Sequence, residues 1–151
     1  GIYDISGGTW ERTASYVANN HENLLQYGKS VAYNGDTLKT ESTKYTMVYP
    51  HDSTLDNVDI ENTDENLNKA SEVNYKKNTK IYGDAIREIS MEGIGITSWN
   101  KDYSTFAGLY YPFTIRGGHF WDNLGSGQFS FYRNVGDNTF TDSFRPVVIY
   151  N

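Results

Sequence analysis

The sequence contains no cysteine, which excludes a disulfide framework, a thiolate metal site and a cysteine nucleophile. It also lacks any apolar run of the roughly 18 residues that a membrane-spanning helix needs, so we expect no membrane insertion. An excess of basic residues is missing as well. The formal net charge is −6, whereas proteins that bind a phosphate backbone present a basic face, and nucleic acid is therefore not an expected partner.

The negative charge is concentrated in one segment, residues 52–65, which holds six of the 19 acidic residues and no Lys or Arg. The remaining 13 acidic residues equal the 13 basic ones in number. A calcium-binding EF-hand loop that started at Asp59 would place Asp64 where glycine is required, and one that started at Asp56 would place Val58 at a ligand position. We therefore interpret the segment as a solvated acidic loop.

The length and the aromatic content predict one compact domain. A chain of 151 residues with 15% aromatic residues can bury one core of ordinary size, so we assign residues 1–151 to a single domain. The chain begins with Gly1 rather than Met, which suggests a processed product or the C-terminal part of a longer chain.

Apolar spacing predicts one helix and suggests a second. In residues 62–78, Leu67, Ala70 and Val73 recur at intervals of three residues, which is typical of a helix with one buried face. A weaker helical pattern covers residues 11–26. Both patterns precede the aromatic runs of the C-terminal part of the chain.

From Gly93 onward the chain alternates short aromatic runs with Gly, Asn, Asp and Ser, which is typical of strands joined by turns. Residues 128–133 and 144–149 are the clearest predicted strands. Earlier in the chain, the pair Asn34-Gly35 predicts either a hairpin or a tight loop, because both residue types tolerate positive φ. Helical segments followed by short strands predict an α+β fold.

Three motifs, taken in their order and separation, resemble those of a known family. They are G-I-Y-D-I-S-G-G-T-W-E at residues 1–11, R-G-G at 116–118 and S-F-R at 143–145. Together they resemble the formylglycine-generating-enzyme-like (sulfatase-modifying-factor) branch of the C-type lectin fold. Residues 82–88 further resemble a subgroup found in bacteria and their phages. The resemblance implies an α+β C-type lectin fold with a small irregular antiparallel sheet and one or two helices.

Several motif residues read as parts of a scaffold. Trp10 is large enough for the centre of a core. Arg116 and Arg145 lie in otherwise apolar strands and need a carboxylate or carbonyl partner if they are buried. In relatives a structural calcium is held near the first motif, which by position implicates Gly8, Thr9 and Glu11. Gly8 stands where the family has Asn, so the metal ligands at this site are unknown.

The sequence does not support the metal-dependent activities of the family's enzymes. The named enzyme binds copper through two cysteines, and a related branch binds iron through three histidines of an attached domain. Here His21, His51 and His119 are far apart in the sequence. Glu88 and Glu92 could share a helical face as paired carboxylates, but such pairs are common in acidic proteins. We therefore expect no catalytic residue and no cofactor, and the structural calcium that the resemblance implies is left open.

The segment between the two scaffold arginines carries the predicted binding residues. Rings alternate there with small polar residues over two turns, residues 119–127 and 132–142, a mixture that resembles an antibody paratope. The predicted ligand-binding residues are His119, Phe120, Trp121, Asp122, Asn123, Tyr132, Asn134, Asp137, Asn138 and Phe140. The alternative is that the rings belong to the core and the polar residues only form turns.

The resemblance extends to the variable proteins of diversity-generating retroelements, which diversify the stretch between the R-G-G and F-R motifs. Their mutagenesis acts on adenines, often in Asn codons, which makes Asn123, Asn134 and Asn138 candidate variable positions. Trp121 cannot arise from an Asn codon in this way, so either it is a fixed anchor or the relationship to the retroelement proteins does not hold.

We accordingly expect a non-catalytic domain whose C-terminal loops bind a protein or another target on a cell surface. One alternative is a glycan-binding surface adhesin, in which Trp121 or Tyr132 stacks on a sugar and Asp122 or Asn138 bonds its hydroxyl groups. Another is a structural domain of a surface or phage assembly. All three favour an extracellular, cell-surface or phage location over the cytoplasm.

Overall fold

The computed structural model describes residues 8–32, 35–55, 62–78, 84 and 86–144. Within this part of the chain the fold is α+β, as predicted, with two helices and seven strands in one sheet. The predicted strand at residues 144–149, including Arg145, lies outside the described residues apart from Phe144. Residues 1–7 of the first motif and Asn34 also lie outside them.

The strands are short except for the first. They are β1 (Trp10–Ala18), β2 (Met47–Pro50), β3 (Ile94–Gly95), β4 (Ser104–Thr105), β5 (Phe113–Arg116), β6 (Phe131–Asn134) and β7 (Asp142–Ser143). The sheet runs in the order β2-β1-β5-β6-β4-β3, and β7 pairs with β1 as well. Because β5 occupies one edge of β1 from Glu11 onward, β2 and β7 share the other edge.

The sheet is mixed, which corrects the expectation of an antiparallel one. Strand β1 pairs with β2 and with β7 in parallel, and β4 pairs with β6 in parallel, while β1–β5, β5–β6 and β3–β4 are antiparallel. Parallel neighbours need long connections. Helix α1 (Glu22–Tyr27) and a loop supply the connection from β1 to β2.

The predicted helix at residues 62–78 is confirmed as α2 (Asp64–Lys77). The side chain of Thr63 accepts a hydrogen bond from the backbone N–H of Asn66 and caps its first turn. Two acidic residues precede two lysines along the helix, which matches the direction of the helix dipole. Its buried face includes Leu67 and Ala70 as predicted, and continues through Ser71, Asn74 and Tyr75.

The suggested helix over residues 11–26 is wrong. Its first part is strand β1, and only Glu22–Tyr27 is helical. The register against β5 shifts between Arg12 and Tyr16. This bulge interrupts the alternation of apolar and polar residues by which a strand is recognised in a sequence. Asn19 separates the two elements: its side-chain amide donates to the carbonyl of Val17 and its side-chain oxygen accepts from the N–H of His21.

The structure also tests the predicted turn at Asn34-Gly35, the strand at residues 128–133 and the pairing of Glu88 with Glu92. Asn34-Gly35 was expected in a hairpin or a tight loop; Gly35 has φ of 75° and donates to the carbonyl of Ala32, and no described strand adjoins it. The predicted strand at 128–133 begins only at Phe131. Glu88 and Glu92 do not share a helical face, because the described residues around them form turns and a bridge.

Each face of the sheet carries its own apolar cluster. One consists of Val17, Tyr49, Tyr75, Ile86, Ile89, Phe106, Ala107 and Phe131. The other consists of Tyr16, Ala18, Leu24, Ala32, Val48 and Phe113. No helix in the described part of the chain is long and apolar enough to cross a bilayer. Of the acidic segment, Asp64 and Glu65 are exposed at the start of α2, while residues 56–61 lie outside the description.

Candidate binding surface

Three large rings lie exposed on the two predicted turns. Phe120, Trp121 and Phe140 have 60%, 61% and 83% of their surface accessible. The ring centres of Phe120 and Trp121 are 4.4 Å apart, and those of Trp121 and Phe140 are 6.0 Å apart in an edge-to-face arrangement. We call Phe120, Trp121 and Phe140 the aromatic surface. The interpretation of these rings as core residues is therefore wrong.

Backbone geometry turns the chain out of the sheet just before the first two rings. After β5, Gly117 and Gly118 have φ of 88° and 70°, a region that side chains disfavour. A Cβ on Gly118 would lie 2.6 Å from the Cα of Ser126, so only glycine fits there. Ser126 Oγ in turn donates to the carbonyl of His119 at 2.6 Å. The loop is thus closed on itself at its base.

Hydrogen bonds within the loop fix its tip. The backbone N–H of His119 donates to Asp122 Oδ2 at 2.8 Å, and the N–H of Trp121 donates to His119 Nδ1 at 3.1 Å. Asp122 and Gly125 continue the turn through further backbone bonds. The carboxylate and imidazole thus order the backbone that carries Phe120 and Trp121, which reduces the entropy lost when the rings bind a partner.

The second turn is held by a charged group of β1. Arg12 Nη2 contacts Asp142 Oδ2 at 2.6 Å and also donates to the carbonyl of Asp137. The side-chain oxygen of Asn134 accepts from the N–H of Gly136 at 2.7 Å. These contacts anchor the segment that ends in the exposed Phe140.

A cavity of about 420 Å³ lies beside the aromatic surface. Its lining residues are Trp10, Tyr103, Asp122, Gly125 and Tyr132. The rings of Trp10 and Tyr132 are 5.8 Å apart, and Tyr103 stacks on Tyr132 at 6.1 Å. Burial raises the pKa of Tyr132, and the neighbouring Arg133 opposes the shift, so its hydroxyl stays protonated at neutral pH. The cavity combines aromatic walls with a carboxylate.

The ten predicted residues divide by exposure. The exposed ones are Phe120, Trp121, Asn123, Asn138 and Phe140. The half-buried ones are His119, Asp122, Tyr132, Asn134 and Asp137. Within the second group, His119, Asp122 and Asn134 are engaged in loop hydrogen bonds. These three side chains thus stabilise the shape of the loops.

Sequence reasoning missed Tyr103 and the part that Trp10 plays in the cavity. Trp10 is 7% exposed, in agreement with its predicted burial, yet its ring edge also contacts His119 at the base of the first turn. Tyr103 follows a short turn and has no pattern around it. Only the parallel pairing of β4 with β6 brings it to Tyr132, and a long-range pairing of this kind leaves no local signal.

The residues implicated in a calcium site have other contacts. Thr9 Oγ1 donates to Ser143 Oγ at 2.7 Å, and the N–H of Phe120 donates to the carbonyl of Gly8 at 3.4 Å. Glu11 is opposite Arg116 in the β1–β5 register. Burial lowers the pKa of that arginine, and the charge of Glu11 opposes the shift. Among the described residues, no three His, Cys, Asp or Glu side chains gather as metal ligands.

The comparisons with known proteins gave no match: no protein-family model, no curated protein and no solved structure is significantly similar to this chain.

Proposed function

We propose that the chain is a non-catalytic binding domain that presents the aromatic surface to a protein on a cell surface. The observation that carries the proposal is that Trp121 contacts both Phe120 and Phe140 while all three rings remain more than half exposed. Leaving apolar surface in water forgoes about 25 cal/mol for each Å² that burial would remove. Clustered exposed rings of this kind are typical of the energetic centres of protein interfaces.

We also propose that the domain has the C-type lectin fold of the formylglycine-generating-enzyme type and is related to the retroelement variable proteins. The R-G-G motif supports this, because it ends β5 and leads directly into the loop that carries Phe120 and Trp121. Asn138 is exposed, and its variation should leave the fold intact. Asn123 is exposed as well but has φ of 47°, which most side chains other than Asn disfavour. A near-identical template repeat beside the gene, differing at adenines, is the expected genomic evidence, and a neighbourhood without a reverse transcriptase would contradict the relationship.

The test compares two exposed tryptophans. Trp121 is 61% exposed on the aromatic surface, and Trp99, which packs on Phe129, is 55% exposed elsewhere. The labelled domain is incubated with a panel of bacterial and eukaryotic cells, before and after protease treatment. We expect binding that protease removes, that Trp121→Ala weakens by about tenfold or more, and that Trp99→Ala leaves unchanged. Equal effects of the two substitutions would contradict a role for the aromatic surface.

A glycan is the second candidate partner, favoured by the neighbouring cavity. Trp10, Tyr103 and Tyr132 offer ring faces and Asp122 offers a carboxylate, the groups that receive the apolar face and the hydroxyls of a sugar. A glycan array probed with the wild-type domain and with Trp121→Ala and Tyr132→Ala separates the candidates. Binding to glycans that these substitutions abolish would favour the adhesin, and the same binding with both substitutions would exclude it.

A further inference from the structure

A second cavity, of about 540 Å³, lies against β1, β2 and the end of β5. It shares no lining residue with the cavity beside the aromatic surface. We call it the polar cavity, because charged side chains from separate parts of the chain, Asp84, Arg116 and Lys44, line it together. Its volume is in the range of small-molecule sites, so a macromolecular partner is not its natural occupant.

Asp84 lines this cavity and carries an oxygen without a partner. The residue is 3% exposed, and its Oδ1 accepts from Tyr49 Oη at 2.8 Å and from the N–H of Ile86 at 3.0 Å. Its Oδ2 is buried and has no hydrogen-bond partner. Burying a carboxylate oxygen without a partner is costly. Asp84 therefore has one strong acceptor available for a positively charged donor.

Arg116 presents the complementary group. Its Nε is buried and has no hydrogen-bond partner. Burial lowers the pKa of Arg116, and the charges of Glu11 and Asp84 and the Tyr49 side chain act in the opposite direction. A guanidinium loses its proton only far above neutral pH, so Arg116 is a cation here. Two residues that line the cavity thus carry one unpaired donor on a cation and one unpaired acceptor on an anion.

We propose that the polar cavity binds a small zwitterion, an α-amino acid, with its ammonium group on Asp84 and its carboxylate on Arg116. A simple carboxylate would leave Asp84 Oδ2 without a partner, and a simple amine would leave Arg116 Nε without one. A phosphate would be repelled by Asp84. Met47 and Ile86 also line the cavity and give an apolar wall for the side chain of the ligand.

The experiment is a calorimetric titration of the full chain with each common α-amino acid. Each amino acid that binds is compared with two matched probes, the carboxylic acid that lacks its amino group and the amine that lacks its carboxylate. We expect saturable binding of at least one amino acid, with both matched probes weaker by about tenfold or more. No saturable binding of any amino acid at millimolar concentration, or equal affinity for all three probes, would overturn the proposal.

Two variants test the site by different routes. Asp84→Asn keeps an oxygen for Tyr49 and removes the charge, and it should weaken amino-acid binding by about tenfold or more. Should that variant unfold, Thr46→Trp fills the cavity from its rim, where the Thr46 side chain is half-buried. Amino-acid binding that persists in a folded variant of either kind would contradict the site. Trp121→Ala should bind the amino acid unchanged, which keeps this proposal separable from the proposed function.

Discussion

Two groups of rings in this protein make similar contacts in opposite environments. In the core, Phe106 meets Tyr49 at 4.9 Å and Tyr75 at 5.5 Å, both edge to face, and all three are buried. On the aromatic surface, Trp121 meets Phe140 at 6.0 Å in the same manner, but both are exposed. Ring contact therefore does not by itself decide what an aromatic residue does, since removal from water supplies most of its stabilising effect.

The two groups of rings also differ in their hydrogen bonds. Tyr49 Oη donates to Asp84, and Tyr75 Oη donates to the carbonyl of Ser90 at 2.7 Å, so each buried hydroxyl has a partner. The rings of the aromatic surface are Phe and Trp, and the loop bonds beneath them involve backbone groups. The core rings are thus committed to the fold, whereas the surface rings are free to be covered by another molecule.

The most direct test of this difference is to remove one ring from each group and compare the stability of the two variants. Phe106→Ala should lower the free energy of unfolding by about 3–5 kcal/mol, because it leaves a cavity between Tyr49 and Tyr75. Trp121→Ala should change it by no more than about 0.5 kcal/mol. Urea unfolding followed by circular dichroism measures both. Similar losses for the two variants would show that the surface rings also support the fold.

A second experiment tests how far the aromatic surface depends on Gly118, at the base of its first loop. Gly118→Ala should cost about 2–3 kcal/mol, because it combines positive φ with a Cβ placed against Ser126. The control is Gly35→Ala, which has similar φ of 75° but no atom within 4 Å of the added Cβ, and should cost about 1 kcal/mol. Chemical denaturation gives the difference. Equal costs would mean that the loop base accommodates a side chain.

The third and smallest effect concerns the buried hydroxyl of Tyr49. Burial and the neighbouring Asp84 raise the pKa of Tyr49. The stability that this shift contributes is present below the unfolded pKa of about 10 and is lost as the pH rises above it. Tyr49→Phe should therefore cost about 1–2 kcal/mol at neutral pH, from the lost hydrogen bond to Asp84, and less in alkaline solution.

Urea titrations of wild type and Tyr49→Phe at neutral pH and above pH 10 measure this difference. The other tyrosines ionise in both proteins, so the gap between the two unfolding midpoints reports on Tyr49. A gap that stays constant over this interval would contradict the raised pKa.

The sequence could predict those elements whose signals are local. Helix α2 follows from the apolar spacing that begins at Leu67, and the exposed turns follow from Gly and Asn between rings. Strand β1 could not be predicted, because its bulge between Arg12 and Tyr16 destroys the two-residue period and leaves a false helical one.

The binding residues divide along the same line. The rings of the aromatic surface lie on two turns that are visible in the sequence. The two cavities could not be predicted, because each is lined by residues from elements that are far apart in the chain. Tyr103 reaches Tyr132 through the pairing of β4 with β6, and Asp84 and Arg116 line one cavity although they come from separate parts of the chain. Such sites depend on tertiary pairing rather than on any local pattern.

The pairing of β1 with β7 has a consequence for the order of folding. Trp10 and Glu11 are opposite Asp142 and Ser143, so the segment bearing Phe140 is secured by a strand formed more than a hundred residues earlier. Contacts between residues so far apart in the chain form slowly. During synthesis, β7 must leave the ribosome before it can pair with β1. We therefore expect the aromatic surface to be the last region to mature, appearing only after the sheet beneath it is already in place.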